Sequence, residues 1–268
     1  MGSMKALLGD HAVTKHFKET APLDFANVSV AHPHFKRVVR DLEFDFAELA
    51  LVTFLLAKAH GKPLRLLPAV VMTRFQHPFL VSTKGLRPKD LEGKRVGERS
   101  HSVTTATWVR GMLEQDYGVD LDRIEWVTFE EPHVAEFVDP PNVRRAPAGK
   151  EITKMLLSGE LDAAIVGERP IDGPLKPVIA DPDAAAEAWR RKYGAIQINH
   201  MVAVKNTVSR EQSDAIFRQL LESRRVAGSP PSHPFGIEEN RRNLEVAIDS
   251  VYRQKMIPRR YAVEELFE

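Results

Sequence analysis

The sequence contains no cysteine, which excludes disulfide bonds, thiolate nucleophiles and cysteine-ligated metal sites. Charge of either sign is not in excess, because 38 Lys and Arg stand against 37 Asp and Glu for a net charge of +1. This balance predicts neither a nucleic-acid partner nor binding to a membrane surface. No run approaches the ~20 apolar residues of a membrane-spanning helix. We also see no secretory signal, and therefore expect a soluble cytoplasmic protein.

The common nucleotide and zinc signatures are also missing, since the sequence has no GxGxxG, no P-loop and no HExxH. The 268 residues are 43% hydrophobic, enough for a large core and two lobes. Predicted strands alternate with predicted helices, which favours an α/β fold with largely parallel sheets. Residues 44–61 read as one apolar helix that ends at Gly61, and residues 139–150 read as a Pro-rich loop. Three helices are predicted in the tail, at 210–223, 238–253 and 263–267.

The stretch KRVGERSHSVTTATWVRGML (94–113) predicts a strand, a polar loop and a helix that begins at Thr104. Ser102, Thr104 and Thr105 lie where this helix starts. Hydroxyl side chains are favoured there as caps for local reasons alone. Free backbone amides at a helix N-terminus also attract anions. These residues alone leave open whether the hydroxyls only cap the helix or also hold an anion. If the helix begins in a ligand cleft, we expect one hydroxyl to cap it and the others to help bind the anion.

Several motifs occur together in an order that resembles the 4,5-dihydroxyphthalate decarboxylase family. They are EFDFAELALVTFLLAKAHG, TRFQHPFLVST, LRPKDLEGKRVGERSHSVTTATWVRGMLEQDYGVD, INHMVAV and FGIEENRRNLE, and they cover most of residues 40–268. The resemblance implies a two-lobed periplasmic-binding-protein type II-like fold with two crossover strands, near 72–78 and 196–201. Lobe one would comprise 1–77 and 198–268, and lobe two 78–197, with a cleft between them.

The resemblance further implies a cofactor-independent carbon–carbon lyase. It would decarboxylate a hydroxylated aromatic acid such as 4,5-dihydroxyphthalate, a small-molecule aromatic carboxylate. Two alternatives share the scaffold: a solute-binding receptor of an ABC-type uptake system for a small organic anion, and a different lyase. The oligomeric state stays open between a monomer and a homo-oligomer.

Histidines are the expected acid–base groups, because imidazole exchanges protons near neutral pH. His200 interrupts an apolar strand at the family's crossover histidine, where the alternative is a buried structural residue. His77 lies in the other crossover, and His11 follows the first strand, where Asp10 could orient it. Three histidines could converge on a metal, but no spacing singles out ligands, and we predict neither a metal nor a cofactor.

The remaining candidates are predicted to contact the substrate. Arg74 would bind a carboxylate, although an arginine there could equally form a structural ion pair. Glu168 and Arg169 follow the end of a strand, where ligands of open α/β sheets gather. Glu48 is predicted either to contact the substrate or to be an acid of the first helical turn. The complete set for the substrate is Arg74, Ser102, Thr104, Thr105, Glu168, Arg169 and Glu48.

Overall fold

The computed structural model describes residues 4–167 and 173–268. The chain divides into two compact units, the first from Met1–Arg74 with Ile196–Glu268 and the second from Phe75–Ala195. The unit bounds therefore fall at 74/75 and 195/196, against the predicted 77/78 and 197/198. The first unit consists of both ends of the described chain, and the second is an insertion within it.

Eleven strands are found in the described ranges, and they form two sheets. They are β1 (Lys5–Leu7), β2 (Asp24–Phe25), β3 (Phe46–Ala50), β4 (Leu64–Thr73), β5 (Leu80–Ser82), β6 (Arg95–Glu98), β7 (Glu125–Thr128), β8 (Val143–Arg145), β9 (Ala163–Ile165), β10 (Lys176–Pro177) and β11 (Ile198–Lys205). The helices of that same part of the chain are α1 (Lys15–Thr20), α2 (Phe35–Val39), α3 (Leu51–Ala59), α4 (Thr104–Tyr117), α5 (Ile152–Leu157), α6 (Pro182–Tyr193), α7 (Arg210–Val226) and α8 (Ile237–Arg253).

The sheet of the first unit has the strand order β2-β1-β3-β11-β4. β1 is parallel to β2 and β3, whereas β11 is antiparallel to both of its neighbours, β3 and β4. Alternate side chains of these strands bury a core that includes Phe46, Val71, Val202 and Val204, and α7 covers it with Ile216. β11 thus lies inside the sheet, although it comes last in the sequence.

The prediction of one helix over residues 44–61 is wrong in its first third. Residues Phe46–Ala50 form strand β3, all five of them buried, and the helix α3 begins only at Leu51. Ala50 is extended, with φ −63° and ψ 135°, and the chain turns directly from strand to helix. No Gly or Pro marks this change, so an unbroken apolar run conceals it. Glu48 consequently lies on a strand and not in a helical first turn.

The sheet of the second unit has the order β10-β5-β9-β6-β7-β8, and the four strands from β9 to β8 run parallel. β8 lies within residues 139–150, which corrects the prediction of an uninterrupted loop there. The helix predicted from Thr104 is confirmed as α4, which ends at Gly118 in the left-handed conformation. The predicted hydroxyl cap of this helix is wrong, because Val103 occupies the N-cap position and no side chain caps the helix there.

The predicted tail helices are confirmed as α7 and α8, and the last segment is a short 3-10 helix, Glu264–Phe267. Among the residues that the structure describes, no helix is long and apolar enough to span a bilayer.

Candidate active site

A buried carboxylate, Glu48, lies between two imidazoles in the first unit. Its Oε2 is 2.9 Å from His11 Nε2, and its Oε1 is 2.6 Å from His200 Nδ1. The side chain of Glu48 is 2% exposed, whereas those of His11 and His200 are 22% and 14% exposed. The arrangement therefore has a sealed centre and two imidazoles that reach solvent.

Strand register brings this group together. Val202 on β11 pairs with Glu48 on β3, so His200 is a diagonal neighbour of Glu48 across the two strands. β1 is the other neighbour of β3, and His11 follows its end by four residues. Three segments that are far apart in sequence thus contribute one side chain each.

Opposing effects act on the charge of Glu48. Burial alone would raise the pKa of its carboxyl, but the hydrogen bonds from His11 and His200 outweigh burial and hold the pKa well below its ordinary value. The backbone N–H of Gly9 also donates to Oε2, at 2.8 Å. Glu48 is therefore ionised at neutral pH and accepts three hydrogen bonds.

Close approach explains the glycine at position 9. A Cβ built there would lie 3.0 Å from Glu48 Oε2 and 3.2 Å from His11 Nε2. It would also lie 3.2 Å from the backbone oxygen of Ser29. A side chain at this position would press on the carboxylate and one imidazole together, so the absence of a Cβ lets the Gly9 amide reach Glu48.

The pair of imidazoles has two further neighbours. The ring of Phe35 meets the ring of His200 edge to face, with centroids 5.2 Å apart. His233 lies close enough to His11 for the two to interact electrostatically, and burial together with His11 and Arg224 lowers the pKa of His233. Sequence reasoning missed His233, which lies in the Pro-rich stretch before α8.

The surroundings of Glu48 favour a role other than the predicted contact with the substrate. Both of its oxygens are occupied by hydrogen bonds, and a buried carboxylate would repel an anionic ligand. Nor does Asp10 orient His11 as expected, because Asp10 pairs with Lys18 at 2.6 Å. The carboxylate bonded to His11 is that of Glu48 instead.

Arg74 lies just beyond β4 in the first unit. Met72 pairs with His200, and the backbone N–H of Arg74 donates to the Gln197 carbonyl at 3.2 Å. Arg74 therefore lies beside the start of β11, the strand that carries His200. Burial lowers the pKa of its half-buried guanidinium, which nonetheless stays charged.

His77 belongs to the second unit and is 2% exposed. Burial lowers its pKa to about 4, against a smaller opposing effect of Asp116. Its Nδ1 is buried and has no hydrogen-bond partner among the described residues. His77 is thus neutral at pH 7 and a weak base, which could accept a hydrogen bond.

A second buried carboxylate, which sequence reasoning missed, belongs to Glu98, the last residue of β6. Glu98 is bonded to His101 Nδ1 and to Arg110 Nη1, both at 2.5 Å, and Arg110 Nη2 donates to the His101 carbonyl at 2.6 Å. All three side chains are 5% exposed or less. Burial opposes ionisation of Glu98, but Arg110 and then His101 outweigh it and lower its pKa. Burial and Arg110 lower the pKa of His101.

The hydroxyls predicted for anion binding surround the start of α4 in this unit. Ser102 and Thr104 are buried, Thr105 is half-buried, and Ser102 Oγ lies 3.4 Å from Ser100 Oγ. Glu168 and Arg169 lie outside the described residues. Within the described ranges no three His, Asp or Glu side chains are placed to hold a metal ion.

Two curated proteins are similar to this chain over much of its length. A 4,5-dihydroxyphthalate decarboxylase of Pseudomonas putida is 32% identical over 173 residues, which are 59% of this chain and 67% of that protein. The chain belongs to the 4,5-dihydroxyphthalate decarboxylase family. A second member, from Comamonas testosteroni, is 30% identical over 193 residues, 66% of this chain. The chain spans 58% of that relative's length.

No family model matches the chain. Solved structures nevertheless resemble this family member in fold. The periplasmic aliphatic sulphonate-binding protein of Escherichia coli matches with a TM-score of 0.59 and 12% identity, over 99% of this chain and 92% of that one. The ligand-binding component of an ABC-type import system from Staphylococcus aureus matches with a TM-score of 0.56 and 9% identity, over 100% and 97%. The expected periplasmic-binding-protein-like α/β fold is therefore confirmed.

Proposed function

We propose that the protein decarboxylates a hydroxylated aromatic carboxylic acid such as 4,5-dihydroxyphthalate, with His11 and His200 as the acid–base pair. The observation that carries this proposal is the ionised, buried Glu48 held between these two partly accessible imidazoles. Membership of the family supports the reaction type, since both similar curated proteins carry the name of this decarboxylase.

The reaction needs two proton transfers that a pair of histidines can perform. A ring hydroxyl gives its proton to a base while the ring carbon that bears the carboxylate takes a proton from an acid, which forms a dienone-like intermediate. The bond to the carboxylate then breaks, its electron pair restores the aromatic ring, CO2 leaves, and the ring oxygen regains its proton. Each turnover consumes one proton, which the acid must recover from solvent. Such acid–base steps contribute ~10²–10⁴-fold in rate.

Ligand contacts are proposed for each unit by itself. Arg74 would contact a carboxylate, because its partly buried guanidinium remains cationic and can bind a carboxylate through two parallel hydrogen bonds. His77 would accept a hydrogen bond, because its low pKa keeps the imidazole neutral and makes it a weak base. Within the second unit, Ser102, Thr104 and Thr105 would supply hydroxyls to an anionic group.

The test is CO2 release from 4,5-dihydroxyphthalate by the purified protein, measured by mass spectrometry. We expect His200→Ala to lower the rate of CO2 release by ~10²-fold or more while a thermal-shift assay still detects binding. His60→Ala is the matched control, because His60 is an exposed histidine at the end of α3. Undiminished release by His200→Ala would refute the acid–base assignment. Wild-type protein that binds the compound without releasing CO2 would refute the decarboxylase and favour a solute-binding function.

A further inference from the structure

We infer that Glu48 is a positioning residue that locks His11 and His200 in opposite tautomers, so that His11 reacts through Nδ1 and His200 through Nε2. The two histidines face Glu48 with different ring atoms, Nε2 of His11 and Nδ1 of His200. The catalytic consequence drawn below rests on the proposed decarboxylase function, but the tautomers themselves do not.

The tautomers follow from what a carboxylate can do. An ionised carboxylate only accepts hydrogen bonds, so each ring nitrogen that faces it must carry a hydrogen. The distances of 2.9 Å and 2.6 Å are those of hydrogen bonds, and the Gly9 amide adds a third donor. Each neutral imidazole then has its lone pair on the other nitrogen. That nitrogen is the one that gains or loses a proton.

This arrangement excludes Glu48 as a proton relay between the two rings. Both nitrogens that face it already carry a hydrogen in the neutral and in the cationic imidazole, so neither can take up a further proton from it. His11 and His200 must therefore exchange protons separately, with substrate or solvent. In the proposed reaction one ring can borrow and return the hydroxyl proton while the other is reprotonated from solvent.

The variant Glu48→Gln gives an unequal outcome that identifies this geometry. A glutamine has one accepting oxygen and one donating amide. The Gly9 N–H, 2.8 Å from Oε2, selects the oxygen for that side, where it also accepts from His11. The amide then faces His200 and donates to Nδ1. His200 must move its hydrogen to Nε2, whereas His11 keeps its tautomer.

Two-bond ¹H–¹⁵N correlation spectra of the full-length ¹⁵N-labelled protein would read the tautomers directly, at a pH where the imidazoles are neutral. We expect Nε2–H in His11 and Nδ1–H in His200 for the wild type, and Nε2–H in both rings for Glu48→Gln. Asp45→Asn is the matched control, since Asp45 bonds to Lys5 and Lys205 and not to either histidine. It should leave both tautomers unchanged.

An Nε2–H tautomer of His200 in the wild type would overturn the inference, and so would a Glu48→Gln variant in which His200 keeps Nδ1–H. A melting curve close to that of Asp45→Asn would show that the variant is folded when its spectrum is recorded. If the tautomers are as stated but the wild type releases no CO2, the proposed function falls and the positioning role of Glu48 stands. If CO2 is released but the tautomers are the opposite ones, the proposed function stands and the positioning role of Glu48 falls.

Discussion

Each unit contains a buried glutamate bonded to a histidine, but the two clusters are neutralised differently. Glu98 is bonded to Arg110, which is always charged, and its histidine His101 is 5% exposed. Glu48 is bonded to two imidazoles that reach solvent. Burial and Arg110 lower the pKa of His101 and favour its neutral form, whereas the imidazole partners of Glu48 can change their charge. The Glu98 cluster therefore fits a structural role, and the Glu48 cluster fits a role in acid–base chemistry.

Turnover should separate the two clusters most strongly. We expect His200→Ala to lower the rate of CO2 release by ~10²-fold or more, because a general acid or base is lost. His101→Gln should leave the rate little changed, since His101 is sealed inside the second unit. Initial-rate measurements on both variants decide this. Similar losses in the two would remove the distinction drawn here.

The unfolding free energy should distinguish the two clusters in the opposite direction, with the large loss at the Glu98 cluster. Arg110→Met leaves Glu98 buried without its cation, which should cost ~3–5 kcal/mol of unfolding free energy. All three tryptophans, Trp108, Trp126 and Trp189, lie in the second unit, so their fluorescence during urea unfolding reports on that unit. The double variant Glu98→Gln/Arg110→Met should recover much of the loss. A single variant as stable as the wild type would contradict the ion-pair account.

Acid should destabilise the first unit through Glu48. A carboxyl whose pKa is lower in the folded state stabilises the fold above its ordinary pKa of 4.5, and that contribution disappears as the pH falls toward the folded value. Wild-type stability should therefore fall between pH 5 and pH 3, and Glu48→Gln should show a shallower fall. Urea midpoints followed by circular dichroism would test this. Parallel slopes in the two proteins would be evidence against a depressed pKa.

The smallest effect is expected from Gly9→Ala. The added methyl would press on Glu48 Oε2 and His11 Nε2, so turnover should decline moderately while the protein stays folded. Gly167→Ala is the control, because a Cβ there meets no atom of residues 4–167 or 173–268 within 4 Å. Equal kcat values for both variants would show that the close contact at Gly9 is not needed for turnover.

The sequence was most informative where local pattern decides structure. The helix from Thr104 and the amphipathic helices α7 and α8 follow from spacing and from end signals, as Gly118 illustrates. The strand β3 was not predicted from the sequence, because its apolar residues continue into α3 without a break. Misplacing β3 also hid the orienting role of Glu48, which depends on strand pairing and not on helical position.

The pairing of charges inside the second unit could not be foreseen either. Glu98 ends a short strand, which is a weak signal, and Arg110 lies twelve residues later within the buried stretch of α4. A buried arginine requires a partner, but sequence alone does not say which carboxylate meets it. His11, Glu48 and His200 could each be marked as candidates, whereas their meeting depends on the antiparallel insertion of β11.

The late position of β11 has a consequence for synthesis. On the ribosome β3 and β4 emerge long before residues 198–205, the strand that must separate them in the sheet. A growing chain therefore carries two apolar strands with open edges while the entire inserted unit is being made, and such edges invite association with other chains. The same delay keeps His11 and Glu48 apart from His200 until about three quarters of the chain has been made, so the candidate site stays incomplete until then.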